Sequence, residues 1–99
     1  MSAYFIANIQ IHDLQMMKKY KEEIGDMVMR WGGEYLAAVN DPEVLEGDWD
    51  YTRLVLLRFP SEERLKEWYN SEEYQKVLQL RLGAAKCDTV FVKGIQQGI

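Results

Sequence analysis

The feature that most constrains this chain is a hydrophobic period that switches from two to about 3.6, and does so twice. Residues 3–12, AYFIANIQIH, place Ala3, Phe5, Ala7, Ile9 and Ile11 on one face and Tyr4, Ile6, Asn8, Gln10 and His12 on the other. Such alternation is the signature of a strand. Asp13 then offers a side-chain oxygen to the free amides of a helix start, and Leu14, Met17, Ile24, Met27 or Val28, and Trp31 recur at helical spacing. A helix over 13–31 follows, ended by Gly32-Gly33 because glycine reaches the left-handed conformation that a helix C-terminus commonly needs. Glu34 to Val39 reads as a second strand, and the acidic stretch from Asn40 to Asp50, with Asp41-Pro42 and Gly47, reads as a loop.

The pattern then repeats. Tyr51 to Phe59, YTRLVLLRF, is rich in aliphatic and aromatic residues and forms the strongest strand signal. Pro60-Ser61 stops it and caps a helix from Glu62 to Tyr69. Asn70-Ser71 interrupts, and Ser71 caps a further helix running to about Leu82, where Gly83 loosens the end. Cys87 to Ile95 is the last strand, and the tail beyond Ile95 is expected to fray. The order β-α-β-β-α-β, with an extra short helix, predicts an α+β ferredoxin-like fold with a four-stranded antiparallel sheet and helices on one face. A chain of 99 residues is too short for two independent cores, so one domain over 1–99, ordered over about 3–95, is expected.

Such a sheet leaves one face without helices. In the third strand both rows are apolar, Val55 and Leu57 on one and Leu54 and Leu56 on the other, which is more than a water-facing sheet needs. Both faces are therefore expected to be covered, the second by another copy of the chain. The net charge of −4 argues against nucleic acid, because the one basic cluster, Lys18-Lys19 with Lys21, is followed at once by Glu22-Glu23. The N-terminal stretch lacks a basic leader and a long apolar run, so neither a secretory signal nor a membrane partner is expected. Cys87 is the single cysteine, which fits a reducing cytoplasm.

Several short patterns coincide along the chain: Gly32-Gly33, Glu46-Gly47-Asp48-Trp49, Phe59-Pro60-Ser61, Trp68-Tyr69, Ser71, Glu73-Tyr74-Gln75, Arg81 and Gly94. In order and spacing they resemble the domain-of-unknown-function thirteen-thirty family over roughly residues 3–95. The resemblance implies the dimeric α/β-barrel superfamily, in which two ferredoxin-like subunits pair their sheets, alongside the antibiotic-biosynthesis monooxygenases. It brings no settled reaction with it. Three places depart from the family's usual pattern: Glu72 stands where proline commonly precedes Glu-Tyr, Arg58 where an acid often precedes Phe-Pro-Ser, and Ala38-Val39-Asn40 in place of a frequent Arg-Gly-Gly.

The polar residues on apolar elements are the candidate site. Arg81 follows Tyr74, Val77 and Leu78 on one helical stripe, so its stem runs inward. It is either a snorkelling arginine near a helix C-terminus, paired with an acid, or a guanidinium aimed into a cavity to hold a carboxylate or enolate oxygen. Asn8 and Gln10 sit among apolar neighbours and need partners, across a dimer interface or on a ligand. Arg53 either pairs with a loop acid such as Glu46 or faces a ligand. The large aromatics are core material, except that Trp49, in an acidic loop, is expected to plug a subunit groove or close a pocket. His12 is the single histidine and reads as a surface residue, so no metal site is expected.

Two functions fit. One is a cofactor-independent enzyme or binder with a pocket between sheet and helices, where Asn8, Arg53, Tyr74 and Arg81 orient a small oxygenated organic ligand. The other is a non-catalytic structural or regulatory homodimer whose polar mid-strand groups fix the pairing register.

Overall fold

The first strand sets the frame. In the computed structural model, which describes residues 1–95, β1 (Ala3–Ile11) is flanked on both sides by antiparallel partners. The remaining elements are α1 (Leu14–Arg30), β2 (Glu34–Asn40), β3 (Arg53–Phe59), α2 (Glu62–Tyr69), α3 (Glu72–Ala84) and β4 (Ala85–Lys93). The four strands form one antiparallel sheet in the order β2-β3-β1-β4, the ferredoxin-like arrangement anticipated from the sequence. The tail expected to fray lies outside the described residues.

Local chemistry explains the helix boundaries. The side chains of Asp13, Ser61 and Ser71 accept from the backbone amides of Met16, Arg64 and Tyr74 at 3.0, 3.1 and 3.0 Å, one cap for each helix. Each such cap contributes about 1 kcal/mol. Gly32 adopts φ +91°, and the amide of Gly33 donates to Val28 O at 2.8 Å, closing the end of α1. The inward stripe of α1 is Met17, Tyr20, Ile24, Met27 and Val28; Leu14, placed on that stripe by spacing, is 76% exposed because the helix has barely begun there.

Two strand starts differ from the sequence reading. β3 begins at Arg53 rather than Tyr51, because Thr52 bonds outside the β2 ladder, its amide donating to Ile9 O and its carbonyl accepting from Asp41. β4 begins at Ala85, directly after α3, because β1 extends to Ile11 and offers Ala85 a partner.

The helix-covered face carries Ala3, Phe5, Ala7 and Ile9 from β1 and Leu57 and Phe59 from β3, all buried. Trp68 of α2 is fully buried against them, its ring 5.1 Å from Phe59, 5.4 Å from Phe5 and 4.2 Å from Tyr74. Among the described residues the opposite face is free of helices. It carries Ile6, Leu54, Leu56, Val90 and Val92, with Asn8 among them; the Asn8 Oδ1 is buried without a partner, whereas Gln10 is exposed. From the loop before β3, the Tyr51 hydroxyl donates to Asp88 of β4. Trp49 packs on Tyr51 with ring centroids 5.3 Å apart. Among the described residues no helix is long and apolar enough to cross a membrane.

The sharpest test of this packing is Gly33, where an added Cβ would lie 2.7 Å from Phe59 Cζ and 2.8 Å from Val28 Cγ1. Both neighbours are buried core atoms that cannot swing away. Gly33→Ala is expected to destabilise the fold by about 1–3 kcal/mol, read as a drop of roughly 4–8 °C in Tm for each kcal/mol. An unchanged melting curve would show that the β2 entry yields more than this geometry allows.

Candidate functional site

Where α1 passes over the middle of the sheet, the facing residues are small. Ala7 of β1 lies below and Gly25 of α1 above, and an added Cβ at Gly25 would meet nothing within 4 Å. A glycine in a helix interior costs about 0.5–1 kcal/mol relative to alanine, and here the missing side chain leaves space. The result is a cavity of about 230 Å³ between α1 and the sheet, with Phe5, Ile9, Val55 and Leu57 as its floor and Met17, Tyr20 and Ile24 along its roof. A dry cavity of about 150 Å³ suffices for benzene, so this one suits a molecule of about one ring.

Arg81 lines the inner end. It is 2% exposed, yet it forms no ion pair among the described residues, and its Nε has no hydrogen-bond partner. Its Nη2 donates to the Tyr74 hydroxyl over a long 3.4 Å, and the guanidinium stands 5.8 Å above the Tyr20 ring. Burial opposes its charge, but the Tyr74 and Tyr20 oxygens beside it outweigh burial and raise its pKa above the ordinary arginine range. Among the described residues Arg81 is therefore a buried cation without a counter-anion, a state that costs several kcal/mol.

The tyrosines form a relay. Tyr20 Oη and Tyr74 Oη are 2.8 Å apart and either can donate. Burial, and then the neighbouring Tyr74 oxygen, push the Tyr20 phenol well above its usual value, so it remains a neutral hydroxyl at physiological pH. When Tyr74 donates to Tyr20, the Tyr20 proton is left for an acceptor in the cavity it lines. The arrangement thus offers a charge-assisted donor and a hydroxyl, which together can hold an oxyanion.

Lys21, Tyr35 and Arg53 stand at the open side. Arg53 Nη1 donates to Asn40 Oδ1 at 2.9 Å, rather than pairing with Glu46, because the β2–β3 register sets Asn40 directly across from it. Burial lowers the Arg53 pKa; burial and the Arg53 charge together lower that of Lys21. The Tyr35 hydroxyl donates to Ile24 O at 3.3 Å and ties β2 to α1 beside the opening.

Of the four residues singled out by sequence, Arg53 and Arg81 line the cavity, Tyr74 is bonded to Arg81 behind it, and Asn8 projects from the other face of the sheet. Sequence reasoning missed Tyr20, Lys21, Gly25 and Tyr35. Tyr20 was readable, since it fills the gap between Met17 and Ile24 in the α1 stripe, and a glycine inside that helix was a second sign. Among the described residues no three His, Cys, Asp or Glu side chains cluster as metal ligands do.

A search of curated proteins finds no match. Among solved structures, the chain is similar to RPA0582, a protein of unknown function from Rhodopseudomonas palustris, with a TM-score of 0.74 and 15% identity over 96% of this chain and 83% of that one. It is similar to SnoaB, a cofactor-independent oxygenase from Streptomyces nogalater, with a TM-score of 0.70 and 8% identity over 98% and 96% of the two chains. A dimeric ferredoxin-like protein of unknown function from Jannaschia sp. CCS1 gives a TM-score of 0.76 and 10% identity over 95% and 100%. At these identities the likeness is one of fold. The family described as domain of unknown function (DUF1330) matches residues 2–95, and the chain belongs to that family.

Proposed function

We propose that the protein is a homodimer, resident in the cytoplasm, in which the helix-side cavity of each subunit binds a small organic anion, as a binder or a cofactor-independent enzyme. The observation that carries this reading is Arg81, a buried guanidinium with an unpartnered Nε at the end of an apolar cavity. A carboxylate, phenolate or enolate oxygen supplies the missing counter-charge, and Tyr74 and Tyr20 extend the donor set. SnoaB, on the same fold, is a cofactor-independent oxygenase. That agrees with an enolate-holding pocket. Arg53 meets the ligand from the open side.

Arg81→Met separates binding from stability. If the charge is kept for a ligand, the variant loses binding while its ligand-free stability is unchanged or rises by about 1–4 kcal/mol, as when other buried charges give way to apolar side chains. Benzoate should raise the Tm of the wild type, and neutral benzamide should not. A stability loss of several kcal/mol in Arg81→Met, with no benzoate effect in the wild type, would make the guanidinium a structural element.

A structural reading, in which polar strand residues set the register of the dimer, draws on Asn8, whose Oδ1 is buried and unpartnered on the helix-free face. If a second subunit satisfies that oxygen, Asn8→Ala is expected to weaken the dimer by about 1–3 kcal/mol. Sedimentation equilibrium of the two proteins reads this directly, and identical dissociation constants would remove the role assigned to Asn8.

A further inference from the structure

The cavity is cationic at both ends, and that pattern narrows its occupant. The chain has five arginines. Arg30, Arg58 and Arg64 pair with Glu73, Glu34 and Glu67, whereas Arg53 and Arg81 form no ion pair among the described residues, and both line the cavity. Lys21, also in its lining, is likewise without a carboxylate partner there. The chain has 16 acids, yet none is in the cavity lining; Asp26 acts on Tyr35 beside its opening.

The two arginines approach from different sides. Arg53 stands on β3, while Arg81 comes from the last turn of α3, which runs directly into β4. β3 and β4 lie on either side of β1, two strand spacings apart, or about 9.5 Å. Between them the floor is apolar, formed by Ala7, Ile9 and Val55. Lys21 and Arg53 also repel each other at the open side, the Arg53 charge helping to lower the lysine pKa, and an anion seated between them relieves that repulsion.

We infer that the ligand is a small dianion with an acidic group at each end and an apolar middle, of the class of a benzene dicarboxylate. One acid meets Arg81 with the Tyr74–Tyr20 pair, and the other meets Arg53 and Lys21. This rests on the reading of the cavity as an anion site and adds the second charge.

The test is calorimetric titration of the full chain with benzoate, isophthalate and terephthalate at one ionic strength. At least one diacid should bind ten-fold or more tightly than benzoate. Arg53→Gln should abolish the preference for that diacid over benzoate, and Lys21→Gln, on the exposed side of α1, should reduce the same preference if Arg53→Gln fails to fold. Benzoate binding as tightly as both diacids, or a diacid preference untouched by these variants, overturns the second charge and leaves the anion site standing. Absence of binding by all three overturns both.

Discussion

Trp68 is the residue on which the rest of this structure depends. Its indole is fully buried where α2 meets the sheet, with Phe5, Phe59, Tyr69 and Tyr74 around it. Removing a buried ring of this size typically costs about 3–5 kcal/mol. Its Nε1 has no partner among the described residues, a smaller penalty accepted for the area the ring covers. Rigid rings on this side of the helical layer hold α2 and α3 away from the strands. Under α1 the facing residues are Ala7 and Gly25, too small to fill the same depth, so close packing beside Trp68 and empty space beside Ala7 follow from one layer height.

That space is apolar along its floor, which makes the charge at its end the more telling. A carboxylate beside Arg81 would neutralise it and leave it little attraction for a ligand. Hydroxyls do otherwise: Tyr74 and Tyr20 satisfy part of the hydrogen-bonding capacity of the guanidinium while leaving its charge in place. With the phenol of Tyr20 kept protonated by burial, the pair offers a proton and takes up no charge. The inner end is thus preorganised to receive negative charge without rearrangement, the general condition under which buried dipoles and cations stabilise an oxyanion.

What the sequence disclosed followed the range of the forces involved. The caps at Asp13, Ser61 and Ser71 and the stop at Gly32-Gly33 are set by neighbours a few residues away, and all were readable. The four-stranded order followed from period and connection length. Arg81 was readable as inward-facing, but whether an acid meets it depends on what α1 and β4 bring to it, and spacing along α3 is silent on that. Arg53 finds Asn40 rather than Glu46 because cross-strand register, not loop proximity, decides the pairing. Grouping Asn8 with the cavity residues runs against the parity of its own strand, since Ala7 and Ile9 face the cavity and their neighbour must point away.

The same parity divides the sheet into two working surfaces. Odd positions of β1 line the cavity or core, while Ile6 and Asn8 join Leu54, Leu56 and Val90 on the helix-free face. If a second subunit packs on the helix-free face and an anion fills the cavity, substitutions on the two faces of β1 should act nearly additively on assembly and ligand affinity, because the strand backbone separates them. The exception is the start of β3. Tyr51 bonds to Asp88, whose strand position lies on the helix-free face, and two residues later Arg53 enters the cavity lining, with Thr52 between them anchored to Ile9 O. A second subunit packed on that face and shifting Tyr51 would therefore move the Arg53 cation at the open side of the cavity through this short segment.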